Sequence, residues 1–218
     1  MRTRFLIPFL AATASLSASV SSTFDTGSDG WTVSGTGGAE GMTSTYVAAG
    51  HYFQLSEVGA GPYAYFVAPG KFLGNQSSAF GNALRFDLQL DYLKTTSWAD
   101  TNTGDVILKG NGLTLVYNTP NDPNATTWTS YSVPLSVSSS AVWRLNSTAA
   151  SSPLATSAQL QSVLSNISAL WIRGEFRGGP ENSRIDNVTL IPEPATWAGL
   201  LAAPAFIFAR LRRRAHRS

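Results

Sequence analysis

The middle of the chain alternates between apolar and polar residues in short runs, which is the period of a β-strand. In the clearest run, 83–92, Leu84, Phe86, Leu88 and Leu90 share one side and polar residues share the other. This alternation predicts an antiparallel strand with one face in a core and one face in water. Turn-forming residues separate the other candidate strands, which are 31–33, 52–55, 63–68, 105–108, 113–117, 128–135, 170–173 and 185–191.

Two local signals support this division. The segment 109–112, Lys-Gly-Asn-Gly, lies between two strand candidates and predicts a hairpin turn. Thr156 and Gln159 have the spacing of a capping box, and apolar residues at helical spacing follow them, which predicts one short helix ending near Asn166. The predicted fold class is all-β, a two-sheet antiparallel jelly roll or β-sandwich with one helix.

The N-terminal end differs in composition from the middle. Arg2 and Arg4 precede an apolar run, and small residues follow it, which is the layout of a secretory signal peptide. The prediction is a signal peptide over 1–22 and a folded domain over 23–191. The cleavage bond stays open because small residues fit the rule at two places, Ser17/Ser19 and Val20/Ser22.

The C-terminal end also differs from the middle. Here Pro192, Glu193 and Pro194 are followed by a largely apolar stretch, 195–209. A cluster of arginines then closes the chain: Arg210, Arg212, Arg213 and Arg214. An apolar helix within 192–218 is predicted to anchor the chain in a membrane. Bilayer thinning and snorkelling arginines accommodate a span shorter than ~20 residues, and the arginines would stay on the cytoplasmic side.

Charge and cysteine content exclude several classes of function. Residues 23–194 hold eight basic and all thirteen acidic side chains, a net charge of −5, which argues against a nucleic-acid partner. There is no cysteine, so disulfides, thiolate metal sites and cysteine nucleophiles are absent. Only two histidines occur, His51 and His216, so a histidine-rich metal centre is excluded.

Carboxylates at both ends of the domain form a candidate metal site. Asp25 and Asp29 flank a glycine turn near the start, and Asp186 lies in the last predicted strand. Calcium prefers carboxylate and carbonyl oxygens, and pairing of the first and last strands would bring these residues together. The alternative is ordinary turn chemistry without a metal.

The candidate sugar-binding set consists of five tryptophans: Trp31, Trp98, Trp128, Trp143 and Trp171. Trp31 and Trp171 fall within strand patterns and are predicted to be core residues, whereas Trp98 falls in a polar loop and is the predicted exposed ligand-binding aromatic.

Glu175 and Glu181 could act as an acid/base pair in a glycoside-cleaving enzyme. The favoured interpretation of these glutamates is a solvated turn with surface ion pairs, and no other catalytic motif is present.

The order Pro-Glu-Pro, apolar stretch and terminal arginines resembles the PEP-CTERM sorting signal of Gram-negative bacteria. That resemblance implies recognition and cleavage near Pro192 by a membrane-embedded exosortase, in cells that typically make exopolysaccharide. The predicted protein is therefore exported through the inner membrane, held there transiently by its C-terminus, and then released to the cell surface or extracellular matrix.

The body of the chain resembles the laminin B domain (laminin domain IV) over nearly all of residues 24–190. The segments that carry the resemblance are 65–76, 84–88, 128–135, 164–176 and 185–190. The resemblance implies a jelly roll like that of carbohydrate-binding modules, often with a structural calcium joining the first and last strands, and it supplies no catalytic residues. The predicted function is binding of polysaccharide or another extracellular polymer. A glycoside-cleaving enzyme and a purely structural matrix component are the alternatives.

Overall fold

A computed structural model describes residues 19–35, 42–57, 63–92, 103–176 and 181–192, all within one unit, Ser19–Glu193. Most of the predicted signal peptide lies outside the described residues, and so does the C-terminal segment after Pro192, with Glu193, Pro194, Arg210, Arg212, Arg213 and Arg214. Trp98 lies outside them as well. Within the described part of the chain, no helix is long and apolar enough to cross a membrane.

The regular secondary structure of the described residues is almost entirely β-strand. The first six strands are β1 (Val20–Ser22), β2 (Thr32–Gly35), β3 (Met42–Val47), β4 (Tyr52–Glu57), β5 (Ala64–Val67) and β6 (Ala83–Tyr92). Six more follow: β7 (Val106–Gly110), β8 (Leu113–Tyr117), β9 (Thr129–Pro134), β10 (Arg144–Leu145), β11 (Ile167–Arg173) and β12 (Glu181–Leu190). The helix α1 (Ser157–Ser165) precedes β11, and two short 3₁₀ turns (Gly70–Phe72 and Ser77–Ala79) lie between β5 and β6.

The strands form two antiparallel sheets. Sheet A has the order β3-β4-β12-β6-β9, with β1 also paired to β12, and sheet B has the order β10-β8-β7-β11-β5-β2. The apolar side of β6 is buried in the core between the sheets, as its alternation predicts: Leu84, Phe86, Leu88 and Leu90 are all buried. The predicted two-sheet antiparallel sandwich is confirmed.

The turn and helix signals are also confirmed. Asn111 and Gly112 both have positive φ, 47° and 75°, as a two-residue hairpin turn between β7 and β8 requires. At the start of α1, the Thr156 hydroxyl accepts from the backbone N–H of Gln159, and the Gln159 side chain accepts from the backbone N–H of Thr156. The reciprocal pair satisfies two N–H groups that the first turn leaves without a helical partner.

The first and last described strands lie side by side, but that first strand is β1, within the predicted signal peptide, and the first predicted strand, 31–33, overlaps β2 of sheet B. Val20 pairs with Leu190 and Ser22 with Val188. The first strand begins at Val20, three residues before the predicted start of the domain at residue 23. Because Val20 and Leu190 are opposite each other in an antiparallel pair, the two ends of the described chain leave sheet A together.

A bulge in β12 shapes this end of sheet A. The register between β12 and β6 shifts by one residue between Asp186 and Thr189, and Asn187 within the bulge has a φ of 52°. Asparagine tolerates this left-handed conformation better than most residues. A bulge changes the direction of the side chains around it, and here it sets the positions of Asp186 and Asn187.

Candidate functional site

The outward side of sheet A carries a connected set of polar and aromatic side chains, which we call the outer face of sheet A. Its members point away from the core because they alternate with buried residues on the same strands. The residues that define it are Tyr52 and Gln54 on β4, Arg184 on β12, Gln89 and Asp91 on β6, and Trp128 immediately before β9.

Arg184 is the centre of the polar network on this face. Its Nε donates to Oε1 of Gln54 at 3.2 Å, its Nη1 to Oε1 of Gln89 at 3.0 Å, and its Nη2 to Oδ2 of Asp91 at 2.8 Å. The guanidinium thus joins three strands and holds three neighbouring side chains in defined orientations. Charge-assisted hydrogen bonds of this kind are among the stronger ones in proteins.

Two aromatic rings meet above this network. The ring centroids of Tyr52 and Trp128 are 5.8 Å apart with an interplanar angle of 64°, an edge-to-face contact. The Arg184 guanidinium carbon lies 5.3 Å from the Tyr52 centroid, within cation–π range. Trp128 remains 39% exposed, so this face offers an accessible aromatic surface next to hydrogen-bonding groups.

Trp128 belongs to the candidate sugar-binding set, but the sequence analysis did not single it out as exposed. The signal was present, because Trp128 alternates with Ser130 and Ser132, whereas Tyr131 and Val133 are the residues that enter the core. That alternation assigns Trp128 to the solvent side of the strand.

The two tryptophans predicted to be core residues have different outcomes. Trp31 is buried, as predicted, and its ring packs edge-on against Phe72. Trp171 lies instead on the outward side of sheet B, because its neighbours Leu170 and Ile172 take the two inward positions. There it packs against Tyr65, and the ammonium of Lys109 lies 3.9 Å from its ring centroid.

The candidate metal residues at the β1–β12 junction are only partly brought together. The pKa of Asp186 is raised to about 6, mainly by burial and in part by the carboxylates of Asp87 and Asp25, against the opposing effects of the Asn187 backbone N–H and of His51. Asp25 and Asp186 are therefore electrostatic neighbours. Asp29 forms an ion pair with Lys71 at 3.4 Å instead.

Hydrogen-bond donors already face the carboxylates of this junction. The backbone N–H of Asn187 donates to Oδ1 of Asp186 at 2.7 Å, and its side-chain amide donates to Oδ2 of Asp87 at 2.9 Å. The junction can therefore offset carboxylate repulsion without a cation. No group of three acidic or histidine side chains within the described residues is arranged to hold a metal ion.

The interpretation of Glu175 and Glu181 as a solvated turn is wrong. Both are buried, with 2% and 1% of their surface exposed, and Glu57 of β4 is buried beside them. The reason is alternation: Glu57 follows Phe53 and Leu55 on the inward side of β4, and Glu181 precedes Ser183 and Ile185 on the inward side of β12. Glu181 Oε1 accepts from the backbone N–H of Phe176 at 2.8 Å.

Burial changes the acidity of these two glutamates. Burial raises the pKa of Glu175 to about 7, and the carboxylate of Glu57 adds to the shift. Burial also raises the pKa of Glu181 to about 8, with Glu175 and Glu57 adding to the shift. The Oε2 atoms of both glutamates are buried without a hydrogen-bond partner. A glycosidase exposes its two carboxyl groups to the sugar, whereas Glu175 and Glu181 are almost fully buried.

A separate pocket of about 360 Å³ lies beside β8 and β10, with Tyr117, Val142, Arg144 and Thr148 among its lining residues. Arg144 is committed to structure here, because its Nη1 donates to the carbonyls of Ala150 and Ser152. Val142 is 39% exposed, the same fraction as Trp128. Val142 therefore supplies an exposed apolar side chain outside the outer face of sheet A.

Comparison with known proteins identifies the family. The model of Laminin B (Domain IV) matches residues 65–198. Laminin subunit gamma-2 of Homo sapiens is 34% identical over 148 residues, which is 64% of this chain and 11% of that protein. Laminin subunit gamma-1 of Homo sapiens is 29% identical over 205 residues, 85% of this chain and 11% of that protein.

A solved structure shares the fold. The L4b domain of human laminin alpha-2 superimposes with a TM-score of 0.51 and 15% identity, covering 60% of this chain and 70% of that domain structure. The chain spans about a tenth of the length of the curated laminin relatives. It belongs to the laminin B (domain IV) family.

Proposed function

We propose that this chain is an exported surface or matrix protein that binds polysaccharide through the outer face of sheet A. The observation that carries the proposal is the contact between Tyr52 and Trp128, which leaves Trp128 accessible beside the Arg184 network. The predicted ligand-binding residue Trp98 stays a prediction, because it lies outside the described residues. Trp128 is the second candidate, and its contacts are described above.

The chemistry of this face suits a sugar chain. An aromatic ring buries the apolar C–H side of a sugar, while amide and carboxylate groups nearby exchange hydrogen bonds with its hydroxyls. Gln54, Gln89 and Asp91 are held by Arg184 before any ligand arrives. Little conformational entropy would then be lost when a ligand binds, which increases affinity.

Sorting by an exosortase is part of the same proposal and rests on the C-terminal motif. Strand β12 ends at Leu190, and the backbone N–H of Ile191 donates to the carbonyl of Ala83 at 3.2 Å. Cleavage after Pro192 would therefore leave every pairing of sheet A in place. Transient anchoring by the apolar C-terminal segment and release to the cell surface or matrix complete the proposed route.

A purely structural matrix role, without a discrete ligand, is the alternative from a different class. A depletion experiment separates the two. The full chain in mild detergent is mixed with insoluble matrix polysaccharide from the producing cells, and the protein left in solution is measured. We expect wild type and Val142→Ala to be depleted equally and Trp128→Ala to remain in solution. Equal depletion of all three, or of none, would contradict binding through this face.

A further inference from the structure

We propose that the outer face of sheet A selects uncharged, hydroxyl-rich glycans and excludes acidic ones, with Gln89 as the residue that donates to the sugar. This inference rests on the proposed function and names the ligand class of the same face. It follows from the hydrogen bonds that Arg184, the basic residue at the centre of that face, forms within the protein.

Three of the five N–H donors of Arg184 are engaged within the protein. Its Nε, Nη1 and Nη2 all donate to side chains of the protein itself, and its guanidinium packs against the Tyr52 ring. Proteins that bind carboxylate or phosphate groups use the arginine fork for bidentate contact with the ligand. Here Gln89 and Asp91 each accept from one terminal nitrogen of that fork, so a uronate or sulfate group would compete with Asp91 for the charge of Arg184.

The same contact fixes the orientation of Gln89. A guanidinium can only donate hydrogen bonds, so Gln89 must present its carbonyl oxygen to Arg184 and its amide nitrogen to the other side. That nitrogen has no hydrogen-bond partner among the described residues and is not one of their buried, unpartnered atoms. Two N–H donors on the same face as Trp128 are therefore free to meet the oxygen of a sugar hydroxyl.

The acidic groups of this face complete the pattern. Asp91 uses one carboxylate oxygen for Arg184, and Asp87 uses one for the Asn187 amide, so each keeps an oxygen that can accept from a hydroxyl. Asp186 adds a third carboxyl group on β12. A second basic residue, Arg85, lies on the outward side of β6, two positions from Asp87. The surroundings of the aromatic pair are thus acidic on balance, and like charges disfavour a polyanion.

The test is calorimetric titration of the full chain in mild detergent with three hexasaccharide probes of different charge. They are an uncharged β-glucan, an anionic oligomannuronate and a cationic oligoglucosamine. Wild type should bind the uncharged probe most tightly and the anionic probe at least about tenfold more weakly. Gln89→Glu keeps an acceptor for Arg184 but removes the donors, and it should weaken binding of the uncharged probe about five- to tenfold.

The variants separate failure of this inference from failure of the proposed function. Tight binding of the anionic or cationic probe that Trp128→Ala abolishes would overturn the ligand class and leave the face as the binding site. Unchanged affinity in Gln89→Glu would overturn the role of Gln89. Binding that Trp128→Ala leaves intact, or that Val142→Ala removes, would contradict the site itself. Near-ultraviolet circular dichroism confirms that each variant is folded.

Discussion

Oγ of Ser22 accepts a hydrogen bond from Nε1 of Trp31 at 2.9 Å, and both residues are buried. Ser22 belongs to β1 and pairs with Val188 of the last strand, whereas Trp31 packs in the central core. The contact therefore ties the strand at the beginning of the domain to its interior. It also bears on where the leader ends, because the predicted signal peptide includes Ser22.

The first prediction is that the leader is cut upstream of Val20. Cleavage after Ser22 would remove β1, expose the edge of β12 at 188–190, and leave the Trp31 indole N–H without its acceptor. N-terminal sequencing of the exported protein should therefore give a first residue no later than Val20. A mature protein that begins at Thr23 would show that the domain folds without β1.

The second prediction concerns the stability that Ser22 provides. Ser22→Ala leaves the buried N–H of Trp31 unpaired, and the cost of such a group is about 1–3 kcal/mol. The free energy of unfolding, measured by urea denaturation, should fall by that amount. Ser21→Ala is the matched control, because Ser21 is exposed on the same strand, and it should change stability little. Equal effects of the two variants would contradict the prediction.

The third prediction concerns pH. The pKa values of Glu175 and Glu181 in the folded protein, about 7 and about 8, lie above the ordinary value of 4.5. The folded state thus binds protons more tightly than the unfolded state. The contribution of the two glutamates to the free energy of unfolding is fully present below about pH 4.5. It is lost as the pH rises through 7 to 8. The free energy of unfolding should fall between pH 5 and 8 by on the order of 1 kcal/mol or more.

Glu181→Gln tests the origin of this pH dependence. Glutamine keeps an acceptor for the Phe176 N–H but does not ionise, so the decline toward pH 8 should be shallower than in wild type. Asp91→Asn is the control, since Asp91 lies on the exposed face and should leave the slope unchanged. The same slope in wild type and Glu181→Gln would assign the pH dependence to other groups.

Calcium at the β1–β12 junction stays a prediction, and thermal melting tests it. A calcium ion that binds only the folded state would raise the melting temperature in millimolar calcium relative to chelator. The rise should be absent in Asp186→Ala. Equal melting temperatures of wild type in calcium and in chelator would exclude the ion and leave Asn187 as the group that offsets the charge of Asp87 and Asp186.

The fold could be predicted from the sequence where alternation is strong. The alternating residues of 83–92 define β6 with the observed bounds, and the Thr156–Gln159 spacing locates α1. Strand β3 was not predicted because Thr43, Ser44 and Thr45 are polar on both sides, as an edge strand allows. Strand β1 was hidden by the small residues that also fit a signal-peptide cleavage site.

The candidate site was harder to predict, because alternation separates two sides of a strand but does not say what meets on each. The glutamates show this limit, since Glu57 on β4 and Glu181 on β12 are far apart in the sequence, yet both face inward beside Glu175. The meeting of Tyr52 and Trp128 depends on the order β4-β12-β6-β9, which brings distant segments into one sheet. That order is set by long-range pairing and carries no local sequence signal.

The most direct test of polysaccharide binding through the outer face of sheet A is fluorine NMR of protein labelled with 5-fluorotryptophan. The chain has six tryptophans, and the resonance missing from a Trp128→Phe variant identifies Trp128. On addition of an uncharged hexasaccharide, the Trp128 resonance should shift, while those of the buried Trp31 and Trp143 should not. A glycan that binds without shifting the Trp128 resonance would contradict the account.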